Sequence, residues 1–134
     1  MANALYPKWK EQLLQFTTNN NLSAGTVRVA LVDTGAYTYN AADQFYSSVT
    51  AAAVGTPQII GSKTFVNGVF DGADVTFTAV TGNSVEALVL YVDTGTAGTS
   101  PLVAYIDTSV TGLPVTPNGG NIAITWNASG IFQL

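Results

Sequence analysis

The side chains able to do chemistry in this chain are its carboxylates, because its 134 residues include no histidine and no cysteine. The absence of both excludes Ser-His-Asp and Cys-His nucleophilic catalysis, the usual zinc and iron ligand sets, and disulfides. No glycine-rich loop leads into a lysine and a helix, as a phosphate-binding loop would. Two kinds of site remain: a carboxylate pair that shares a proton, and a cation site with oxygen ligands.

The triplet Asp-Thr-Gly occurs twice, beginning at Asp33 and at Asp93, each time after an apolar run. Residues 30–36 look like the active-site loop of retroviral-type aspartic proteases, in which two such loops bring two Asp side chains together. Residues 59–61 are similar to a later element of that family, but they follow too closely to leave room for its flap. The alternative is a strand-ending turn, in which Asp accepts backbone hydrogen bonds and Gly takes a positive φ. Asp107-Thr108 ends a third apolar run in the same way and favours the turn.

A cation site could be built from Asp71 and Asp74, with Asp43 as a third ligand. Calcium requires six to eight oxygen ligands, and two acidic residues around one glycine turn supply few of them. The alternative is a solvated turn. We therefore predict no catalytic residue, no metal and no cofactor, and a protein that is not an enzyme.

The composition is unusual in its charge. Charged residues make up 9% of the chain, against about 25% in ordinary soluble domains. Threonine, serine and asparagine, 36 residues together, must supply the polar surface. Such a chain either hides surface in an assembly or is a Thr/Asn-rich β domain of extracellular style. A net charge of −4 argues against nucleic-acid binding, and no signal peptide or membrane-spanning segment is predicted.

The stretch from Thr64 to Asp107 predicts the fold class. It contains four apolar runs rich in Val, Thr and aromatic residues, each bounded by Gly, Asn or Asp, which is typical of consecutive antiparallel strands. Asn67-Gly68 predicts a tight hairpin turn, and Val85 to Asp93 a central strand covered on both faces. With Thr26–Val32 and the later runs, the sequence predicts about eight strands in one all-β domain, a β-sandwich or jelly roll. The sandwich is expected to span residues 26–134, behind an N-terminal helix or arm in residues 1–18.

Two segments outside the strands carry most of the remaining aromatic residues. Residues 3–16 place Tyr6, Trp9, Leu13 and Phe16 on one helical face, with a start at Asn3 or nearer Tyr6. This helix could pack on the sandwich, or it could be an arm that docks on another subunit. The loop from residue 37 to 48 could form a satellite hydrophobic cluster or a contact surface. Its aromatic residues are Tyr37, Tyr39, Phe45 and Tyr46.

Several stretches together resemble small tailed-bacteriophage virion proteins of the capsid decoration, or cement, type. The resemblance spans nearly the whole chain. It is carried by Asn3-Ala4-Leu5-Tyr6 and by residues 29–34, 37–38, 68–77, 86–95, 102–108 and 112–120. It implies a β-sandwich or jelly-roll domain that binds the capsid exterior as a homo-oligomer, a dimer or trimer, with the major capsid protein as partner. It brings no catalytic residues.

The sequence therefore predicts a virion protein that reinforces a capsid by bridging major capsid subunits, made in the host cytoplasm and carried on the capsid exterior. Neither nucleic acid nor membrane is an expected partner. The alternatives are a tail or neck component, a carbohydrate-binding sandwich and, last, the protease. The residues expected to contact the capsid or another partner lie in the helix and the aromatic loop: Tyr6, Trp9, Lys10, Leu13, Tyr37, Tyr39, Phe45 and Tyr46.

Overall fold

A computed structural model describes residues 3–17 and 20–134. Its described part is mostly β, with nine strands in antiparallel sheets and one short helix, which confirms the all-β, sandwich-like class. The elements in chain order are β1 (Ala4–Leu5), α1 (Pro7–Gln15), β2 (Thr26–Val32), β3 (Ala53–Ile59), β4 (Val69–Phe70), β5 (Val75–Phe77), β6 (Ala87–Asp93), β7 (Leu102–Ile106), β8 (Ile122–Ile124) and β9 (Phe132–Gln133).

The main sheet has five antiparallel strands in the order β1-β7-β6-β2-β3. β6 lies at its centre, and every residue of β6 except Asp93 is buried. Since successive side chains of a strand point to opposite faces, both faces of the sheet are covered here, as the sequence predicts. One edge is β1, only two residues long; the other is β3, which contains Gly55 with φ 70° and Pro57.

The block from Thr64 to Asp107 forms consecutive strands in antiparallel sheets, as predicted, but two of the strands pair outside the block. Within that block only β6 and β7 pair with each other. β4 pairs with β9, and β5 pairs with β8, so both strands find partners near the C-terminal end of the chain. Local patterning marks where strands lie but carries no record of a partner many residues away. This long-range pairing ties residues 69–77 to residues 122–133.

The Asn67-Gly68 turn forms as predicted. Asn67 has φ 54° and Gly68 has φ 75°, and the amide of Val69 donates to the carbonyl of Val66. Positive φ at both central residues is the geometry for which Asn-Gly is selected. The arms pair only briefly, through reciprocal backbone hydrogen bonds between Thr64 and Asp71. Because its arms pair so briefly, the turn does not extend the main sheet.

Helix α1 is shorter than the predicted span of residues 3–16. It begins at Pro7, a residue whose fixed φ suits the first helical position. Asn3 does not cap it, because its side-chain oxygen accepts the backbone amides of Asp107 and Thr108. The helix ends at Gln15, and Phe16 follows in the left-handed conformation, φ 52°. Predicted boundaries at residues 18 and 19 lie outside the described residues.

Candidate functional site

The two Asp-Thr-Gly triplets do not form a catalytic pair, because they lie at opposite ends of the main sheet. Asp33 directly follows the last residue of β2, whereas Asp93 pairs with Thr26, its first residue. Six residue steps at about 3.3 Å each place the ends of β2 roughly 20 Å apart. The two carboxylates therefore cannot share a proton, and the similarity to aspartic protease loops does not extend to the three-dimensional arrangement.

Both triplets are the strand-ending turns of the alternative interpretation. Asp33 Oδ1 accepts the amide of Gly35 at 2.8 Å, and Asp93 Oδ1 accepts the amide of Gly95 at 2.8 Å. Asp93 also accepts a hydrogen bond from Arg28 Nε at 2.6 Å, within an ion pair that is less than one third exposed. The Gly95 amide and the Arg28 guanidinium hold the pKa of Asp93 below its usual range.

The residues considered as calcium ligands are used for local structure. Asp71 Oδ1 accepts the amide of Gly72, Asp74 Oδ1 accepts the amide of Trp126, and Asp43 Oδ2 accepts the hydroxyl of Tyr37. Across residues 3–17 and 20–134, no three acidic, histidine or cysteine side chains are grouped closely enough to hold a metal ion. The solvated-turn alternative fits Asp71 and Asp74 better than a shared cation does.

Four of the eight predicted contact residues lie buried in the chain's own core. Tyr6 and Trp9 have relative exposures of 0% and 1%, and Tyr37 and Tyr46 are also buried. The ring of Tyr46 stacks on Tyr91 with 3.9 Å between the ring centroids. Side chains without accessible surface cannot touch a partner in this conformation. The helix therefore packs on the sandwich, and these loop tyrosines belong to the hydrophobic core.

A chain of hydrogen bonds shows why the buried tyrosines are accommodated. The hydroxyls of Tyr6 and Tyr37 are 2.8 Å apart, and Tyr37 donates to Asp43 Oδ2 at 2.9 Å. Each phenol thus keeps a partner away from water, as buried polar groups require. Burial raises the pKa of Tyr6, and burial raises the pKa of Tyr37 to about 12. Both remain neutral at physiological pH and serve structure.

The other four predicted contact residues reach the surface. Lys10 is exposed on α1, while Leu13, Tyr39 and Phe45 are half-buried. Tyr39 packs against Tyr6 and Tyr105, with 5.1 and 5.6 Å between ring centroids, so most of its ring serves the core. Lys10, Leu13 and Phe45 are therefore the predicted residues best placed to meet a partner.

Helix α1 separates two clefts, and the first joins its polar face to the aromatic loop. This polar cleft has a volume of about 350 Å³. Phe45 and Gln44 line one side, and a backbone bridge between Phe45 and Pro101 fixes the loop there. The helix contributes Lys8, Glu11, Gln12 and Gln15. Helix α1 and the aromatic loop thus meet at this cleft. Of the predicted contact residues only Phe45 lines it, and the rest of the lining is mostly polar.

The second cleft is an apolar groove of about 320 Å³ on the opposite flank of α1. Trp9 and Phe132 meet edge to face in its wall, with 5.7 Å between ring centroids. Among the described residues that line the groove, none has a charged side chain. Its lining is Trp9, Leu13, Phe16, Asn20, Asn21, Leu22, Ser23, Phe65, Gly68, Val69, Phe70, Phe132 and Leu134.

The apolar groove is rimmed by large side chains that the fold leaves in water. Phe16 is 94% exposed, and Phe65 and Leu134 are exposed as well. Leu14 in the last turn of α1 and Val66 beside Phe65 add further exposed apolar surface. Sequence reasoning assigned Phe16 to the packed helical face and missed the others. Two features of the sequence could have indicated this exposed surface. Leu14 falls outside the apolar face of the predicted helix, and Phe65 and Val66 directly precede the Asn67-Gly68 turn.

Comparison with known proteins gives no family for the chain, since neither a family model nor a curated protein sequence matches it. Among the described helices, none has the length and apolar character needed to cross a membrane.

Proposed function

We propose that this chain is a structural virion protein of a tailed bacteriophage, a capsid decoration protein that binds the outer shell and bridges major capsid subunits. The observation that carries the proposal is the pair of clefts beside α1, in a chain with only 9% charged residues. Charged side chains are depleted from interface cores, so low charge suits a chain that presents much of its surface to neighbours. The resemblance to decoration proteins points the same way.

The polar cleft is the surface we assign to the shell. A contact formed between two partners that are each folded and soluble beforehand resembles ordinary protein surface in polarity. The polar cleft has that character, with glutamines, the exposed Lys8–Glu11 pair and one aromatic side chain, Phe45. A modest contact of this kind repeated over a shell gives firm attachment through multivalency.

The test measures attachment to particles of the virus that carries the chain. Wild-type protein is expected to occur in a fixed ratio to the major capsid protein, measured by quantitative mass spectrometry of purified particles. A few copies per particle would instead indicate a tail or neck component and would contradict the proposal.

A surface variant then tests the assigned cleft. Lys8→Glu combined with Gln15→Glu adds negative charge to two residues that line the cleft and should lower occupancy of the shell without unfolding the chain. Thr76→Glu, on an exposed position of β5, is the matched control and should bind like wild type. Truncation of α1 is unsuitable, because Tyr6 and Trp9 are core residues. Equal occupancy of all three proteins would overturn the assignment of the polar cleft.

A further inference from the structure

We infer that the apolar groove is the contact between two copies of this chain, arranged as a closed dimer with twofold symmetry. The inference deepens the proposed function by assigning a surface to the expected self-association. It stands on the geometry of the groove and on the conformation of Phe16.

Phe16 combines two unfavourable features that nothing else in the described chain compensates. It is 94% exposed, and it adopts the left-handed conformation, φ 52°, at a helix end where glycine is the usual residue. The turn itself is well formed, because Phe16 N donates to Leu13 O and Thr17 N donates to Gln12 O. Glycine would close this turn with less strain and without an apolar ring in water. A bulky ring at this site is therefore suited to contact with another molecule.

The groove and Phe16 are complementary in chemistry and adjacent in space. Phe16 projects as a knob at the rim, and the groove beside it offers a hole whose accessible apolar lining includes Leu13, Val69 and Phe132. In a contact with twofold symmetry, both copies use the same patch. If the symmetry axis passes near the rim of the apolar groove, Phe16 of each copy enters the groove of the other copy. Knob and hole at one site therefore favour a closed dimer over a ring.

The area and the charge of the patch both fit a second copy. An aromatic side chain buries roughly 150–250 Å², so Phe16 and Phe65, with exposed Leu134 and the neighbouring Val66, present several hundred Å². That approaches the roughly 800 Å² per partner of a standard interface. Two copies of net charge −4 repel each other, and the groove is a place where neither presents a charged side chain. Permanent homodimer contacts are also the more apolar class.

The test is the molar mass of the isolated full-length protein by sedimentation and light scattering. Wild type is expected to be a dimer in concentrated solution and to dissociate on dilution. Phe16→Gly should shift the protein to monomer. At the same protein concentration, its thermal unfolding midpoint should be no lower than that of the dissociated wild type, because glycine relaxes the turn. Ile59→Ser, at a 54% exposed apolar residue of edge strand β3 that does not line the groove, is the control and should remain a dimer.

Hydrogen exchange locates the contact independently of the variants. Dilution of wild type should increase exchange at residues 65–70 and 132–134, which border the groove, and leave residues 53–59 of β3 unchanged. A wild type that is monomeric or trimeric in concentrated solution, a Phe16→Gly variant that remains dimeric, or dilution-dependent exchange confined to other segments would each overturn the inference. Shell attachment is measured separately, so a monomer that still decorates particles would refute the dimer and keep the proposed function.

Discussion

At the scale of single residues, the two Asp-Thr-Gly triplets show that the same local motif can contribute differently to the stability of the fold. Both Asp side chains close the same turn by accepting a glycine amide. Only Asp93 also pairs with a guanidinium, that of Arg28, in a partly buried position. Asp33 instead accepts an amide hydrogen bond from Asn83 at 3.0 Å. A hydrogen bond to a charged partner typically contributes about 1.5–3 kcal/mol, more than a neutral one does.

We therefore expect Asp93→Asn to lower the free energy of unfolding by about 1–2 kcal/mol, and Asp33→Asn to lower it by less. Because the pKa of Asp93 is lowered in the folded state, its contribution is fully present above its unfolded pKa of about 3.9. That contribution is lost as the pH falls through the lower folded pKa. Urea unfolding between pH 7 and pH 2 checks this, with a shallower acid dependence expected for Asp93→Asn. Identical acid profiles for both variants would contradict the assigned role of Arg28.

At the scale of elements, Lys63 connects the Asn-Gly hairpin to the turn before β2. Its ammonium donates to the carbonyls of Leu22 and Gly25, each at 2.6 Å, and to that of Ser23 at 3.3 Å. Asn21 shapes the same turn by accepting the amides of Ser23 and Ala24. Leu22 and Ser23 form one wall of the apolar groove and Phe65 another. Lys63 thus fixes the relative position of two walls.

Lys63→Met should release this connection while keeping a similar side-chain volume. We expect the variant to lose on the order of 1–2 kcal/mol of stability, because three carbonyls lose a charged donor. Amide exchange should rise in residues 21–25 and 64–70, and the proposed dimer should weaken because the groove loses its shape. Lys10→Met, at an exposed lysine of α1, is the matched control and should change neither quantity. Unchanged exchange in the Lys63 variant would show that the groove walls hold without this contact.

The same elements show what the sequence could and could not reveal. β2 and the doubly covered β6 were predictable because apolar periodicity and turn residues mark them directly. The pairing of β4 with β9 was not, because it joins residues more than sixty positions apart and leaves no local pattern. For the candidate site, residue type alone does not tell whether Tyr6 and Trp9 are core or contact residues. Their burial places them in the core. Phe65 and Val66 escaped notice because an apolar run before a turn also predicts a buried strand.

At the scale of the whole molecule, the proposed interactions depend little on charge. The apolar groove carries no charged side chain, and the polar cleft has only Lys8 and Glu11, which already pair at 3.0 Å. Surface ion pairs of this kind contribute about 0–1 kcal/mol and are screened by salt. The proposed contacts would therefore rely on apolar and neutral polar groups, and the proposed assembly should persist where charge-driven assemblies dissociate.

We accordingly expect the dissociation constant of the proposed dimer to stay nearly constant, or to fall, as sodium chloride is raised. Sodium sulfate should strengthen the dimer further, because it favours burial of apolar surface. Sedimentation equilibrium across a salt series checks this, with Phe16→Gly as the reference for the dissociated chain. Progressive dissociation with increasing salt would point to an electrostatic contact elsewhere on the surface.

The edges of the main sheet have a consequence for a chain with so few charges. Proteins commonly prevent strand-to-strand polymerisation by placing lysines along an exposed edge. β3 carries no lysine, but Pro57 removes one backbone donor and Gly55 turns the strand away from regular geometry. At the other edge, β1 offers only two residues. Resistance to fibre formation in a concentrated solution of this protein would then come from backbone shape, and we expect Pro57→Thr to raise the tendency of the chain to form fibres.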